Sequence, residues 1–273
     1  MLLQLALGLL LSALIGYLGY RRRSLAASGV LGAVLVGATI FGLGGWAWGV
    51  LLVVFFISSS ALSHFKEGRK AALSEKFSKG SRRDLTQTLA NGGAGALLAL
   101  ANAFWPHPVW WAAFAAAVAT VNADTWATEL GVLSHTPPRL ITTGRPVEAG
   151  ASGGLSRLGT LAALSGAALI GLVAAGFHLA AGWSLLEAAG LLAVVSLAGL
   201  LGSLVDSLLG ATVQAIYRCQ QCGQETERHP LHGCGGQTRR LRGWPWLNND
   251  WVNFISSVAG AALAALLWSL IGR

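Results

Sequence analysis

Apolar residues run in long blocks along this chain, and polar residues collect in the short gaps between them. The blocks cover 2–20, 25–44, 46–63, 86–104, 109–131, 158–181, 185–217 and 251–272, each near or above the roughly 20 residues a helix needs to cross a bilayer. The pattern predicts an all-α, polytopic integral membrane helix bundle of about eight transmembrane helices, forming a single domain over 1–273. Only Gly42 to Gly45 part the second and third blocks, which predicts a tight hairpin or one broken helix. The seventh block, about 33 residues and so about 50 Å as a helix, is expected to tilt or project, with Gly199, Gly202 and Gly210 as points of close contact or bending. Met1 to Tyr20 has no basic residue before its apolar run and Arg21, Arg22 and Arg23 directly after it, the mark of a first helix rather than a signal peptide.

Composition agrees with this pattern. Of 273 residues, 54% are hydrophobic and 11% charged, whereas a soluble domain carries about 25% charged residues. The 36 glycines suit close helix packing in lipid. A net charge of +8 in so apolar a chain is better explained by a membrane than by nucleic acid. Connections after the first, third, fifth and seventh blocks hold three, seven, three and five of the 19 Lys and Arg, and those after the second, fourth and sixth hold none. The positive-inside rule then places the four basic connections in the cytosol and both termini outside, as expected of an integral protein of a prokaryotic plasma membrane.

Polar residues inside the blocks gather towards the same side. Asp124 and Glu129 lie near the cytosolic end of the fifth block and Asp206 in the cytosolic half of the seventh. The fourth block opens with Thr86, Gln87 and Asn91, and the eighth is entered through Asn248, Asn249 and Asp250 and has Asn253 in its first turn. A carboxylate within a span is costly and usually has a partner or a task. Asp124 and Glu129, five residues apart and about 140° around a helix, need not share one ion. Carboxylates and amides converging from several helices suit Mg²⁺, which favours a few carboxylates, phosphate oxygens and water; each residue taken singly reads equally well as a cap or as interhelical glue.

Two connections have the chemistry for phosphate. Arg139, Thr142, Thr143 and Arg145 lead to Gly153 and Gly154 before the sixth block, where glycines let the backbone approach an anion at a helix start. No Walker pattern is present, and a flexible loop is the competing reading. Ser58, Ser59 and Ser60 precede Lys66, Arg69 and Lys70, a pattern that also suits a lipid-facing basic collar. The seventh connection, 218–250, holds all three cysteines, and Cys219, Cys222, His232 and Cys234 have the pair spacing of a structural zinc site. One disulfide with one unpaired thiol is the alternative, disfavoured in the cytosol.

In order along the chain, these residues resemble the transmembrane protein 19-like integral membrane family, also called domain of unknown function ninety-two, whose plant members include phytyl-phosphate kinase. The resemblance runs from about Ser58 to Ser257 through Ser58-Ser59-Ser60, Lys66 and Lys70, Gln87 with Asn91-Gly92, and Ala123-Asp124-Thr125-Trp126-Ala127 with Glu129. It continues through Pro138 to Thr143, Gly153-Gly154, Gly202-Ser203 with Asp206-Ser207, Leu209-Gly210-Ala211-Thr212, and Asn249 with Val252-Asn253. The departures are Ser63-His64, Ala151-Ser152, and Asn248 where Asp is expected; Asp250 is the candidate substitute. The resemblance implies phosphoryl transfer from CTP or another nucleoside triphosphate to an isoprenyl monophosphate. Asp124, Glu129 and Asp206 would then hold Mg²⁺ and Asn249 and Asn253 orient it. Lys66, Lys70, Arg139 and Arg145 would neutralise phosphates and the Gly153-Gly154 loop cradle one, with Ser59, Ser60, Asn91, Thr142 and Thr143 assisting. A transporter or lipid-handling protein without covalent chemistry is the rival class, and a structural membrane partner a third.

Overall fold

The computed structural model describes residues 2–66 and 82–271. Among the described residues eight helices follow the predicted blocks: α1 Leu2–Arg21, α2 Ala27–Thr39, α3 Trp46–His64, α4 Leu85–Phe104, α5 Val109–Gly131, α6 Arg157–Ala180, α7 Leu185–Thr212 and α8 Asn249–Ile271. The α2–α3 connection is a hairpin. A π-helical turn over Ile40–Gly44 ends at Gly45, whose φ of 87° is a conformation glycine adopts without steric cost.

The seventh helix is shorter than the apolar block, ending at Thr212 after 28 residues instead of running to 217. Its last turn is stopped by its neighbours: Arg242 Nη1 donates to the Gly210 carbonyl at 2.7 Å, and Trp244 N donates to the Val213 carbonyl at 2.9 Å. A cation at a helix C-terminus satisfies carbonyls that have no intrahelical donor. The apolar residues beyond belong to a strand, β3 Ile216–Cys219, and not to the span.

Six of the helices are long and apolar enough to cross a membrane on length and composition; α4 and α5 fall outside that set. For α5 the reason is its position. Every residue from Ala112 to Ala123 is buried, and the helix packs against α3, α4, α6, α7 and α8. A helix wrapped by protein has no lipid-facing stripe to fill, so small residues replace leucine. Gly199 illustrates the close approach this permits, since a Cβ there would stand 2.7 Å from the Ala119 Cβ; Gly202 faces Thr120 in the same way. Both glycines are contact points of α7 on α5.

Hydrogen bonds bring the basic connections to one end of the bundle. Arg83 N donates to the Ser24 carbonyl at 3.0 Å and Ala26 N to the Arg83 carbonyl at 2.9 Å, joining the first and third. Ser152 Oγ donates to Gln214 Oε1 at 3.0 Å, joining the fifth and seventh. Thr86 Oγ1 donates to Asp250 Oδ2 at 2.7 Å, joining the starts of α4 and α8. In the fifth connection β1 Arg139–Leu140 pairs antiparallel with β2 Gly154–Leu155. In the seventh, β3 lies between β4 Glu225–Thr226 and β5 Thr238–Arg242, both antiparallel to it.

Asp84 starts α4 with a capping box. Its side chain accepts from Gln87 N at 2.9 Å while Gln87 Oε1 accepts from Asp84 N at 3.1 Å. Asp84→Ala is expected to cost about 1 kcal/mol, read as a lowered melting temperature in detergent.

Candidate functional site

A polar cavity of about 510 Å³ lies at this basic end, among α4 to α8 and the end of α3. Asn91, Asp124, Glu129, Asp206, Asn249 and Asn253 line it, as do Gly153 and Gly154. Five elements of the chain thus converge where the intramembrane polar residues were expected to meet.

The lining divides into two groups. In the first, Glu129 Oε1 accepts from Ser63 Oγ at 2.7 Å and is attracted to the Arg83 guanidinium. Arg83 Nη1 donates to Ser60 Oγ at 3.1 Å. In the second, the carboxylates of Asp124, Asp206 and Glu227 lie close enough to repel one another. Asp206 Oδ2 accepts from Ser256 Oγ at 3.1 Å; Asp124 has no hydrogen bond or ion pair among the described residues. Beside them Asn253 Nδ2 donates to Asn91 Oδ1 at 3.2 Å, leaving the buried Asn253 Oδ1 without a partner. Carboxylates that repel one another, with an orphaned amide oxygen nearby, form a donor set that fits a hard divalent cation. Among the described residues no three of these carboxylates have ligand atoms within 4.8 Å of one another, so in this arrangement an ion would also need other oxygens.

Several expected residues stand outside the cavity lining. Ser59 is buried and donates to Asn122 Oδ1 at 3.2 Å, and Ser60 supports Arg83. Lys66 is exposed, its Nζ 5.0 Å from the centre of the Phe65 ring. Thr142, Thr143 and Arg145 are exposed, and Arg139 Nη1 donates to the Gly144 carbonyl at 2.8 Å. These side chains sit on the tip of a short hairpin, which turns them to the surface. Lys70 and Arg69 lie outside the described residues. Asn248 caps α8 by accepting from Trp251 N at 3.1 Å, and Asp250 is bonded to Thr86, so neither takes a ligand position in the cavity.

Gly153 has a packing reason as well as a place in the lining. Its φ is 83°, and a Cβ would fall 2.7 Å from the backbone N of Ala211 in α7. Gly153→Ala is expected to destabilise the protein by about 1–3 kcal/mol and to push the loop off α7, seen as faster proteolysis between Gly150 and Leu155.

The cysteines form a compact group. Cys219 Sγ and Cys234 Sγ are 3.5 Å apart, Cys222 Sγ and Cys234 Sγ 3.8 Å, and His232 Nδ1 lies 3.5 Å from Cys222 Sγ and 3.2 Å from Cys234 Sγ. The sulfur separations approach the roughly 3.8 Å edge of a tetrahedron with 2.3 Å Zn–S bonds and far exceed a disulfide bond; all three thiols are free. Backbone N–H groups of Cys222 and Gln221 pull the Cys219 thiol down to about 7, which favours the thiolate a metal needs. This Cys₃His group can hold a metal ion.

Residues 10–261 match the family described as integral membrane protein DUF92. The chain belongs to that family. Protein PGR of Arabidopsis thaliana is 34% identical over 282 residues, covering 96% of each chain. An uncharacterized membrane protein of Methanocaldococcus jannaschii is 29% identical over 98% of this chain and 95% of its own. The chloroplastic protein VTE6 of Arabidopsis thaliana is 26% identical over 90% of this chain and 66% of its own. No solved structure matches. The family drawn from the ordered motifs is thereby confirmed, and the chain is an integral membrane protein.

Two lining residues of this DUF92 protein escape sequence reasoning. Arg83 looks like one more cation in a basic run, and only packing shows that it points into the cavity while Lys66 does not. Glu227 belongs to the cysteine connection, which reads as a separate module. Its Oε1 accepts from Gln214 Nε2 at 2.8 Å, and Gln214 in turn accepts from Ser152 beside the Gly153-Gly154 loop. The loop that carries the cysteines therefore reaches the cavity through this chain of contacts.

Proposed function

We propose that this protein is a membrane-embedded isoprenyl-monophosphate kinase, transferring a phosphoryl group from CTP or another nucleoside triphosphate to an isoprenyl phosphate at the cytosolic membrane face. The observation that carries the reading is the cation-seeking pair Asp124 and Asp206 in a polar cavity that also holds Arg83. Mg²⁺ bound by Asp124 and Asp206 would neutralise polyphosphate charge. Glu227 would add a third carboxylate through water, and Asn249 and Asn253 would orient the shell. Glu129 fits a different task from metal binding: with Ser63 and Ser60 it holds the Arg83 guanidinium towards the phosphates. The acceptor phosphate oxygen attacks the γ-phosphorus and the bond to the leaving nucleoside diphosphate breaks. The acceptor is already an anion, so positioning and charge neutralisation carry the catalysis and no strong base is required.

The Gly153 backbone N–H would approach one phosphate, since the Gly154 N–H is held by the Ala151 carbonyl at 3.0 Å, and the exposed Lys66, Arg139 and Arg145 raise the local concentration of anions. Zinc in the Cys₃His group would order a loop too polar to fold on a core of its own. A transporter needs a polar path through the far half of the bundle. Against this, α5 is apolar and buried from Ala112 to Ala119, which supports an enzyme with access from one side.

Purified protein incubated with Mg²⁺, phytyl or geranylgeranyl phosphate and each of CTP, ATP, GTP and UTP is expected to form the isoprenyl diphosphate. No diphosphate with any of the four would overturn the kinase reading. In the same assay Arg83→Ala is expected to lower kcat/KM about 10²-fold, with partial recovery in Arg83→Lys.

A further inference from the structure

A second, small cavity of about 60 Å³ lies next to the polar one, lined almost wholly by aliphatic and aromatic side chains of α1 to α4, among them Ile15, Ala33, Leu52, Val53 and Phe56. Arg83 and Asn91 belong to the linings of both cavities, so an apolar slot and a polar chamber meet at one cation and one amide. The Arg83 guanidinium carbon stands 5.9 Å from the centre of the Phe55 ring and 6.0 Å from that of Phe56. Stacking of this kind holds an arginine at an apolar boundary while leaving its N–H edges for an anion.

Helix packing explains why the slot exists. α3 packs mainly on α5 and on the π-helical turn, whereas α1, α2 and α4 pack on one another along the α1–α2 and α2–α4 contacts. α3 packs little on that group, so the boundary between them is a seam, and the slot lies along it. A seam between helices lets a lipid-soluble chain enter sideways from the bilayer without crossing polar surface.

We infer that this slot holds the head-proximal isoprene units of the substrate, with its phosphate on Arg83 and the rest of its tail running along the α3 seam into lipid. The inference rests on the isoprenyl-phosphate reading and adds a place for the tail. One molecule then spans both cavities, apolar chain in one and phosphate in the other, and Arg83 marks the junction. The slot is too small for a whole tail, so recognition is confined to the first units and long tails are accepted through the seam.

The test is photolabelling of the full-length protein in nanodiscs with a geranylgeranyl phosphate carrying a diazirine on its first isoprene unit. Adducts are expected on peptides containing Ala33 and on those containing Leu52 and Val53, displaced by unlabelled geranylgeranyl phosphate and not by equal phosphatidic acid. Adducts elsewhere would overturn the assignment, and equal displacement by phosphatidic acid would make the slot a general lipid site. Ala33→Trp and Val53→Trp are expected to raise KM for the isoprenyl phosphate about tenfold with KM for the triphosphate unchanged. Unchanged KM in both folded variants would also contradict it. Labelling reads binding without turnover: competed labelling in the slot by a protein that makes no diphosphate would defeat the kinase reading and leave the slot standing.

Discussion

Asp124→Asn and Asp206→Asn are each expected to lower turnover about 10³-fold while leaving the protein folded and at least as heat-stable as the parent. The two halves of this expectation have one cause. Asp124 and Asp206 come from α5 and α7, repel each other and Glu227, and meet no cation among the described residues. Without a bound ion the arrangement is an electrostatic burden on the fold, and an amide of the same shape removes it. With the ion present, the lost charge removes a ligand, so metal affinity and the neutralisation of polyphosphate fall together. Turnover and melting temperature measured with and without Mg²⁺ should separate the cases: Mg²⁺ should raise the melting temperature of the parent and not of the variants. Full turnover in both variants would remove the metal assignment.

Stripping metal from the Cys₃His group should lower turnover about 10–100-fold, although no cysteine lines the cavity. The coupling runs from the exposed Cys222 through β3 and β4 to Glu227 and on to Gln214. The loop sheet has three short strands, so a metal in the Cys₃His group would supply much of its order. Once it loosens, Glu227 leaves the cavity edge and Gln214 loses the partner that positions it against Ser152. Cys222→Ser should therefore contain no stoichiometric zinc, become sensitive to protease between Cys219 and Thr238, and show weakened turnover. Glu227→Gln should keep its zinc and protease resistance yet lose similar activity. If zinc-free Cys222→Ser keeps full turnover, the module is structural only and has no hold on the site.

How much of this is legible in the sequence depends on what each residue's signal consists of. The helices could be read from block length, since even α4 and α5, which are less apolar than a lipid-facing span, form unbroken blocks. The exception at α7 shows the limit: Ala215, Ile216 and Tyr217 are apolar, and only Arg242 on the Gly210 carbonyl reveals that the helix has stopped. Asp124, Asp206, Asn91 and Asn253 were legible as site candidates because a polar group amid leucine and alanine is expensive. The cations were not sorted by the sequence. In a run of basic residues the one that points inward is chosen by packing, which selected Arg83 and turned Arg139 and Arg145 outward. Glu227 was hidden for a related reason, since a carboxylate in a polar loop carries no cost that marks it. The cysteine spacing foretold the Cys₃His cluster but not that its loop touches the cavity.

The central claim is phosphoryl transfer within the Asp124–Asp206 cavity, and the most direct measurement follows the phosphorus itself. Purified protein is given γ-³²P-labelled CTP, Mg²⁺ and geranylgeranyl phosphate, and label in the lipid extract is compared with nucleoside diphosphate released. The account predicts labelled isoprenyl diphosphate in one-to-one ratio with the nucleoside diphosphate, and none from the Asp124→Asn/Asp206→Asn double variant. Label that stays in the aqueous phase with the parent protein, or enters lipid equally with the double variant, would contradict it.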